Sequence, residues 1–257
     1  MRVGADFDAT PAAVAAGLHD LPGTFMSRVF AEPTKGVPPW TRPDIAALVR
    51  AGVRVHKSFK DWDEAATDAD MDAIPPDVEF VVYTFHHEPQ DDYGDAAQFV
   101  QRCQRLATLA RGHRNAARIR CVPILNWWPA VMGGDDWHRW WGPAMGDAMG
   151  WDVYPNTLTG YMDAGKALAV PVAAAREVKL PLWLPELGSV RATKDTDGKG
   201  CAAWMTDVLT GLHEGNCQRV NWWYALGGKD KTGRVKDMRL TDRAPELAVW
   251  QKATAGQ

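Results

Sequence analysis

The chain has 257 residues, 46% of them hydrophobic, enough for one large continuous core, and its length matches the roughly 250 residues of a complete (β/α)8 barrel. A formal charge of −3, from 29 basic and 32 acidic residues interspersed along the chain, gives no electrostatic footprint for nucleic acid or an anionic membrane surface. Four cysteines, Cys103, Cys121, Cys201 and Cys217, stand far apart without CxxC or paired Cys/His spacing, which argues against zinc or thioredoxin-like chemistry and leaves them expected as reduced, buried thiols.

The N-terminus runs directly into a strand pattern, Arg2–Phe7. It lacks the charged and apolar regions of a secretory signal, and no apolar run of about 18 residues follows, so the chain is expected to be soluble and unexported. A helical pattern at Pro11–Leu18 opens with Thr10-Pro11, an N-cap residue followed by proline in the first turn. Strand Thr24–Phe30 is followed by helix Arg42–Ala51, opened by the similar Thr41-Arg42-Pro43-Asp44. The alternation continues with strand Val53–Phe59, helix Trp62–Ala73, strand Glu79–Phe85, helix Asp95–Arg111, strand Ile119–Asn126 and helix Trp137–Met145. Strand Met149–Tyr154, helix Gly160–Val178, strand Leu182–Pro185, helix Gly200–Glu214, strand Arg219–Tyr224 and helix Arg243–Ala253 complete it.

Eight strands and eight helices in strict alternation predict an α/β fold, a single (β/α)8 TIM barrel spanning residues 1–257 without linker or domain break. A doubly wound open sheet is the alternative, but it more often carries a Gly-rich phosphate turn after the first strand, and Asp6-Phe7-Asp8-Ala9 is not one. In such a barrel the active site lies at the C-terminal ends of the strands, which makes the closing residues the informative ones.

Strand four ends in Tyr83-Thr84-Phe85-His86-His87-Glu88-Pro89, and strand seven in Leu182-Trp183-Leu184-Pro185-Glu186-Leu187-Gly188. An acid at each exit places Glu88 and Glu186 across the barrel mouth, where a glycosidic bond needs one carboxyl on each side. A separation of about 5–5.5 Å would give a nucleophile and an acid/base with retention; about 6.5–9.5 Å would admit a water and give inversion. Each glutamate taken singly also reads as a helix cap or a surface loop residue.

His87-Glu88 at the fourth strand end with Glu186 at the seventh resembles the retaining four/seven barrel superfamily of glycoside hydrolases, most of all glycoside hydrolase family 26, best known for endo-β-mannanases. The likeness covers nearly the whole chain as architecture but rests on short strings as motif. The resemblance implies Glu88 as acid/base, Glu186 as nucleophile and His87 as a polar contact at the subsite where the bond breaks. The chain is shorter than most members, so their cleft-building loops must be trimmed, and Pro185 before the nucleophile departs from the pattern.

The other strand ends suit a sugar site. Strand six closes with Trp151-Asp152-Val153-Tyr154, whose alternation puts Asp152 and Tyr154 on one side. Tyr154 there would donate to Glu186, or else pack between helices. Thirteen tryptophans are several times the usual share, and indole faces stack on pyranose rings. Trp127 and Trp128 after strand five, Trp222 and Trp223 in strand eight, and Trp62 after strand three are therefore candidate platforms, with Trp137, Trp140 and Trp141 in the fifth loop. Within each adjacent pair only one residue points inward; the resemblance places a strand-eight tryptophan beneath the reacting sugar, and parity leaves Trp222 or Trp223 open.

His56 in strand three reads either as a sugar contact or as a satisfied interior histidine. Asp6, Asp8 and Arg28 read as the floor of the site, with turn formation and core ion pairing as the alternatives. Gly133-Gly134-Asp135 and Gly227-Gly228-Lys229 resemble turns and lack a nucleotide-binding pattern, and His19, His113, His138 and His213 lack HExxH spacing. No metal or other cofactor is expected.

These residues predict an endo-acting, retaining β-glycoside hydrolase working on an oligo- or polysaccharide, with β-1,4-mannan the substrate by resemblance. Xylan, mixed-linkage glucan and a bacterial cell-surface glycan remain open, and a monomer is expected. The rivals are a catalytically silent barrel that only binds carbohydrate, and a barrel hydrolase or lyase of another class with a metal or phosphate site.

Overall fold

The β-branched and aromatic runs form parallel strands and the Ala-rich segments pack over them in the computed structural model, which describes residues 1–7, 10–32, 35–224, 226–229, 235–240 and 243–255. The barrel staves are β1 (Arg2–Asp6), β2 (Met26–Phe30), β3 (Arg54–Phe59), β4 (Val81–Phe85), β5 (Ile119–Cys121) continued by β6 (Ile124–Asn126), β7 (Met149–Val153), β8 (Leu182–Leu187) and β9 (Cys217–Trp223). They pair in parallel as two arcs, β2-β3-β4-β5 and β1-β9-β8-β7-β6. Bonds from Phe25 N to Val3 O (3.0 Å) and from Glu88 N to Ile124 O (3.0 Å) join the arcs at their two seams, giving the expected single (β/α)8 barrel rather than an open doubly wound sheet.

The helices are α1 (Pro11–Asp20), α2 (Pro43–Arg50), α3 (Glu64–Asp72), α4 (Pro89–Asp92), α5 (Ala96–Gly112), α6 (Trp127–Val131), α7 (Ala164–Val178), α8 (Lys199–Glu214) and α9 (Ala244–Thr254). Thr10 caps α1 as expected, its Oγ1 accepting from Ala13 N at 3.1 Å. Pro43 opens α2, but Arg42 there bonds Asp44 rather than capping the helix. Among the described residues no helix is long and apolar enough to cross a membrane.

Three segments differ from expectation. The helix expected at Trp137–Met145 is a single 3-10 turn, Trp137–Trp140. Its aromatic spacing imitates a helical face, but Pro143 lacks the N–H that a continuing helix would need. Strand five is broken at Val122-Pro123 for the same chemical reason. Gly227-Gly228-Lys229 lies not in a turn but in β10 (Leu226–Lys229), which pairs antiparallel with β11 (Val235–Asp237).

Outward residues of the staves build the main core with the helices, including Val3, Leu184, Leu187, Val220, Trp222 and Trp250. A smaller apolar plug of Met26, Val82, Val122, Ile124, Ala148 and Trp183 fills the lower barrel interior. Outward from β3, the buried Lys57 Nζ meets both Asp70 oxygens at 2.8 and 2.7 Å, and Tyr83 Oη donates to Asp70 at 2.8 Å. Burial outweighs that pairing and pulls the Lys57 ammonium down to about 8. All four cysteines are buried free thiols.

Candidate active site

Alternation along β8 alone would point Glu186 away from the barrel, since Trp183 faces the interior plug and Glu186 lies three positions on. The strand resets its parity. Leu184 pairs with Val220 and Leu187 with Trp222, so three steps on β8 match two on β9; opposite β7, Gly150 pairs with Trp183 and Asp152 with Glu186. The extra residue is a bulge beside Pro185, one of the few places in a central strand where a missing N–H is tolerated. It turns Glu186 into the mouth, level with Asp152, and gives the unexpected proline its physical role.

There Glu186 is 7% exposed and both of its oxygens are engaged. Arg28 Nη1 donates to Oε1 at 2.6 Å and Tyr154 Oη donates to Oε2 at 2.5 Å. The tyrosine ring lies over Gly188, where a Cβ would stand 2.5 Å from Tyr154 Cε1. That close approach, rather than a sharp turn, explains the glycine.

Arg28 organises the layer beneath. Its Nη1 also donates to Asp152 at 3.0 and 3.2 Å, its Nη2 to Ser58 Oγ at 3.2 Å, and its backbone N to Asp6 Oδ1 at 2.6 Å. Asn221 Nδ2 donates to the same Asp6 oxygen at 2.9 Å. Burial pushes the Asp6 and Asp152 carboxyls well above the ordinary range, whereas the surrounding carboxyls raise the Arg28 guanidinium and keep it charged.

Glu88 follows β4 in a left-handed conformation (φ 54°), two residues after His86 in another (φ 43°). Both cost strain for residues bearing a Cβ. His86 Nε2 meets Asp92 Oδ1 at 2.6 Å, tying this corner to α4. Burial, then the charge of Glu186, pushes the Glu88 carboxyl up to about 8. Burial also raises Glu186, but Arg28 and the Tyr154 hydroxyl pull against that rise, whereas Glu88 takes no such side-chain donor among the described residues, so the two carboxyls sit in unequal environments.

The remaining candidates divide. His87 and Trp223 flank Phe30 at the mouth, with ring centroids 5.4 and 5.6 Å from it in edge contacts. Trp128 stands exposed on α6. Trp222 faces outward and donates Nε1–H to Met238 O at 2.7 Å, and Trp127 is buried with its Nε1–H on Ala167 O at 2.7 Å. Trp62 packs against Phe85 at 6.0 Å on the flank, beside Arg105 of α5. Trp140 is buried with its N–H on Asp135, and Trp137 and Trp141 line a groove of about 610 Å³ with residues from the C-terminal ends of α5 and α7, away from the strand ends.

His56 is fully buried below the mouth, bonded to Thr84 Oγ1 at 2.7 Å, and Asp6 supports Arg28, so neither reaches the cleft. Asp8 lies outside the described residues. Sequence reasoning did not single out Ser58, Phe30 or Asn221. Ser58 and Asn221 carried one signal, a position two residues from a candidate inward side chain.

No protein-family model matches the sequence, nor does any curated protein. Solved structures share the fold. A family GH128 (subgroup II) endo-β-1,3-glucanase from Sorangium cellulosum matches with TM-score 0.62 at 19% identity, over 100% of this chain and 98% of that one. The catalytic domain of a family GH26 endo-β-1,4-mannanase from Bacillus sp. JAMB-750 gives 0.63 at 12% identity, over 98% and 85%. A fungal β-1,4-galactanase gives 0.64 at 12% identity, over 98% and 99%. Family GH26 is thus one of several glycoside hydrolase families whose barrel this chain shares.

Proposed function

We propose that the chain is an endo-acting, retaining β-glycoside hydrolase of the four/seven barrel kind. The observation that carries this reading is the unequal treatment of two glutamates in one buried mouth. Glu186 takes two strong donors that favour its anion, while Glu88 takes no side-chain donor among the described residues and is pushed up to about 8. A nucleophile needs the first environment and a general acid the second.

In the first step a Glu186 oxygen attacks the anomeric carbon as the glycosidic C–O bond breaks, and the Glu88 proton passes to the leaving oxygen. In the second, ionised Glu88 takes a proton from water, whose oxygen displaces Glu186 from the sugar. No cofactor enters either step. Trp223, His87 and Trp128 contact the sugars, and the chain acts as a monomer.

β-1,4-Mannan is the proposed substrate, by the His87-Glu88 and Glu186 pattern. A β-1,3-glucan is the second reading, favoured by the full mutual coverage with the similarly compact glucanase. The test incubates the protein with mannan, β-1,3-glucan, β-1,4-galactan, xylan and mixed-linkage glucan, following the first-formed anomer by proton NMR. Internal cleavage with retained configuration is expected, and Glu186→Ala should bind oligosaccharide without cutting it. A wild-type protein that binds sugar and never cleaves it would establish a silent binding barrel instead; activity abolished by chelators would favour a metal-dependent hydrolase.

A further inference from the structure

His87 is tied to the buried layer through one hydroxyl. Ser58 Oγ lies 3.2 Å from Arg28 Nη2 and 3.1 Å from His87 Nδ1. A guanidinium only donates, so the serine oxygen accepts from Arg28 and its single proton is left for the imidazole. Nδ1 of His87 then carries a lone pair and the ring proton sits on Nε2. In the opposite tautomer two donors would converge on one oxygen, leaving the hydroxyl proton of a residue only 1% exposed without an acceptor among the described residues.

Two further features keep the ring in that state. Phe30 presses against it in an edge contact at 5.4 Å. Burial, then the charges of Arg28, Lys60, His86 and His56, hold the imidazolium well below its ordinary range, so the ring is neutral. Nε2 makes no bond to any described residue, and His87 keeps part of its surface at the mouth next to Glu88.

We propose that Ser58 is a positioning residue: it relays the fixed polarity of Arg28 to His87, locking the neutral imidazole as the Nε2–H tautomer, which presents a hydrogen-bond donor to a sugar oxygen beside Glu88. The same guanidinium thus orders two things at once, the anion of Glu186 through Nη1 and the donor face of the subsite through Nη2 and Ser58. The subsite role rests on the glycosidase reading, whereas the tautomer does not. Ser58 lies two positions beyond His56 on β3, so the strand that anchors the polar layer also reaches the sugar-facing level.

The test uses protein labelled with 15N-histidine, with His87→Gln assigning the His87 signals. At neutral pH the wild type should show a pyridine-type Nδ1 and a pyrrole-type Nε2. Ser58→Ala should shift Nδ1 toward pyrrole character, and Ser58→Thr, which keeps the hydroxyl, should restore the wild-type pattern. A protonated Nδ1 in the wild type, or an unchanged tautomer in Ser58→Ala, overturns the proposal.

In kinetics, Ser58→Ala should lower kcat/KM roughly tenfold, the loss expected for one hydrogen bond. The same change in a His87→Ala background should cost less than about twofold if the two residues act as one unit. Equal losses in both backgrounds would mean that Ser58 acts through Arg28 alone, and would overturn the relay. A wild type that cleaves no glycan refutes the glycosidase reading and the subsite role with it, while the nitrogen signals still decide whether Ser58 sets the tautomer.

Discussion

Removing the Tyr154 hydroxyl tests the nucleophile assignment without disturbing the barrel. In Tyr154→Phe the ring stays over Gly188, and only the donor 2.5 Å from Glu186 Oε2 is lost. A hydrogen bond to an ionised partner contributes about 1.5–3 kcal/mol, and a pKa unit corresponds to about 1.4 kcal/mol, so the Glu186 carboxyl should rise by roughly 1–2 units while Arg28 keeps hold of Oε1. The sign follows from which form reacts. Attack needs the carboxylate, the phenol favours the carboxylate, and without it more of the enzyme is protonated and idle on the acid side. The acid limb of kcat/KM should therefore move to higher pH by the same roughly 1–2 units, with activity below that limb falling about tenfold to a hundredfold. The assay is a pH profile of kcat/KM on the polysaccharide that the wild type cleaves, with near-ultraviolet circular dichroism as a check on packing. An acid limb that stays at its wild-type position, in a folded variant, refutes the claim that Tyr154 holds Glu186 ionised.

Glu88 should set the opposite limb: its acid form is the reactive one, so activity should fall as pH rises through about 8, and Glu88→Gln should erase that limb while sparing the first step for substrates with good leaving groups. The strand-eight tryptophans should separate by assay. Trp222→Ala empties a site against Trp250 and should cost about 3–5 kcal/mol, lowering Tm by roughly 10 °C, whereas Trp223→Ala should keep Tm and raise KM roughly fivefold. Equal effects of the two on KM would contradict their placement on opposite faces of the stave. Asp70→Ala strands the buried Lys57 ammonium and should lose about 3–5 kcal/mol in a denaturant titration, because breaking a buried pair leaves an uncompensated charge; a loss below about 1 kcal/mol would mean that the lysine is neutral in the folded protein.

The barrel was legible in the sequence because each stave is a short apolar run and several of the α-helices behind them open with a start signal such as Thr10-Pro11, both of which are local. The fifth repeat failed for a local reason too: spacing among Trp137, Trp140 and Trp141 imitates a helical face, and the pattern outweighed Pro143. The tryptophan surplus divides between core and mouth. Trp127, Trp140 and Trp222 place their indole N–H groups on backbone or carboxylate acceptors inside the protein, which is how a core accommodates that side chain, and only Trp128 and Trp223 stand at the mouth. Parity could not choose within a pair until the register of β9 against β1, Trp223 opposite Asp6, had fixed which face was inward.

What the sequence hid most completely is the buried polar network around Glu186. Arg28 lies 124 positions from Asp152 and 158 from Glu186, and only closure of the barrel brings them together. Read alone, Arg28 is one polar residue in an apolar strand; in the closed barrel it is the guanidinium at the centre of three buried carboxyls, Asp6, Asp152 and Glu186. Three carboxylates around one cation would leave two uncompensated charges in a buried layer, so the protons must stay on the groups where ionisation costs most. Burial pushes Asp6 and Asp152 far up, while Glu186 alone combines the guanidinium with a phenol donor and a position at the solvent end of the layer. On the proposed mechanism the floor residues would act without touching substrate: burial disfavours the anions of Asp6 and Asp152, which leaves more of the positive charge of Arg28 to the carboxyl proposed to attack.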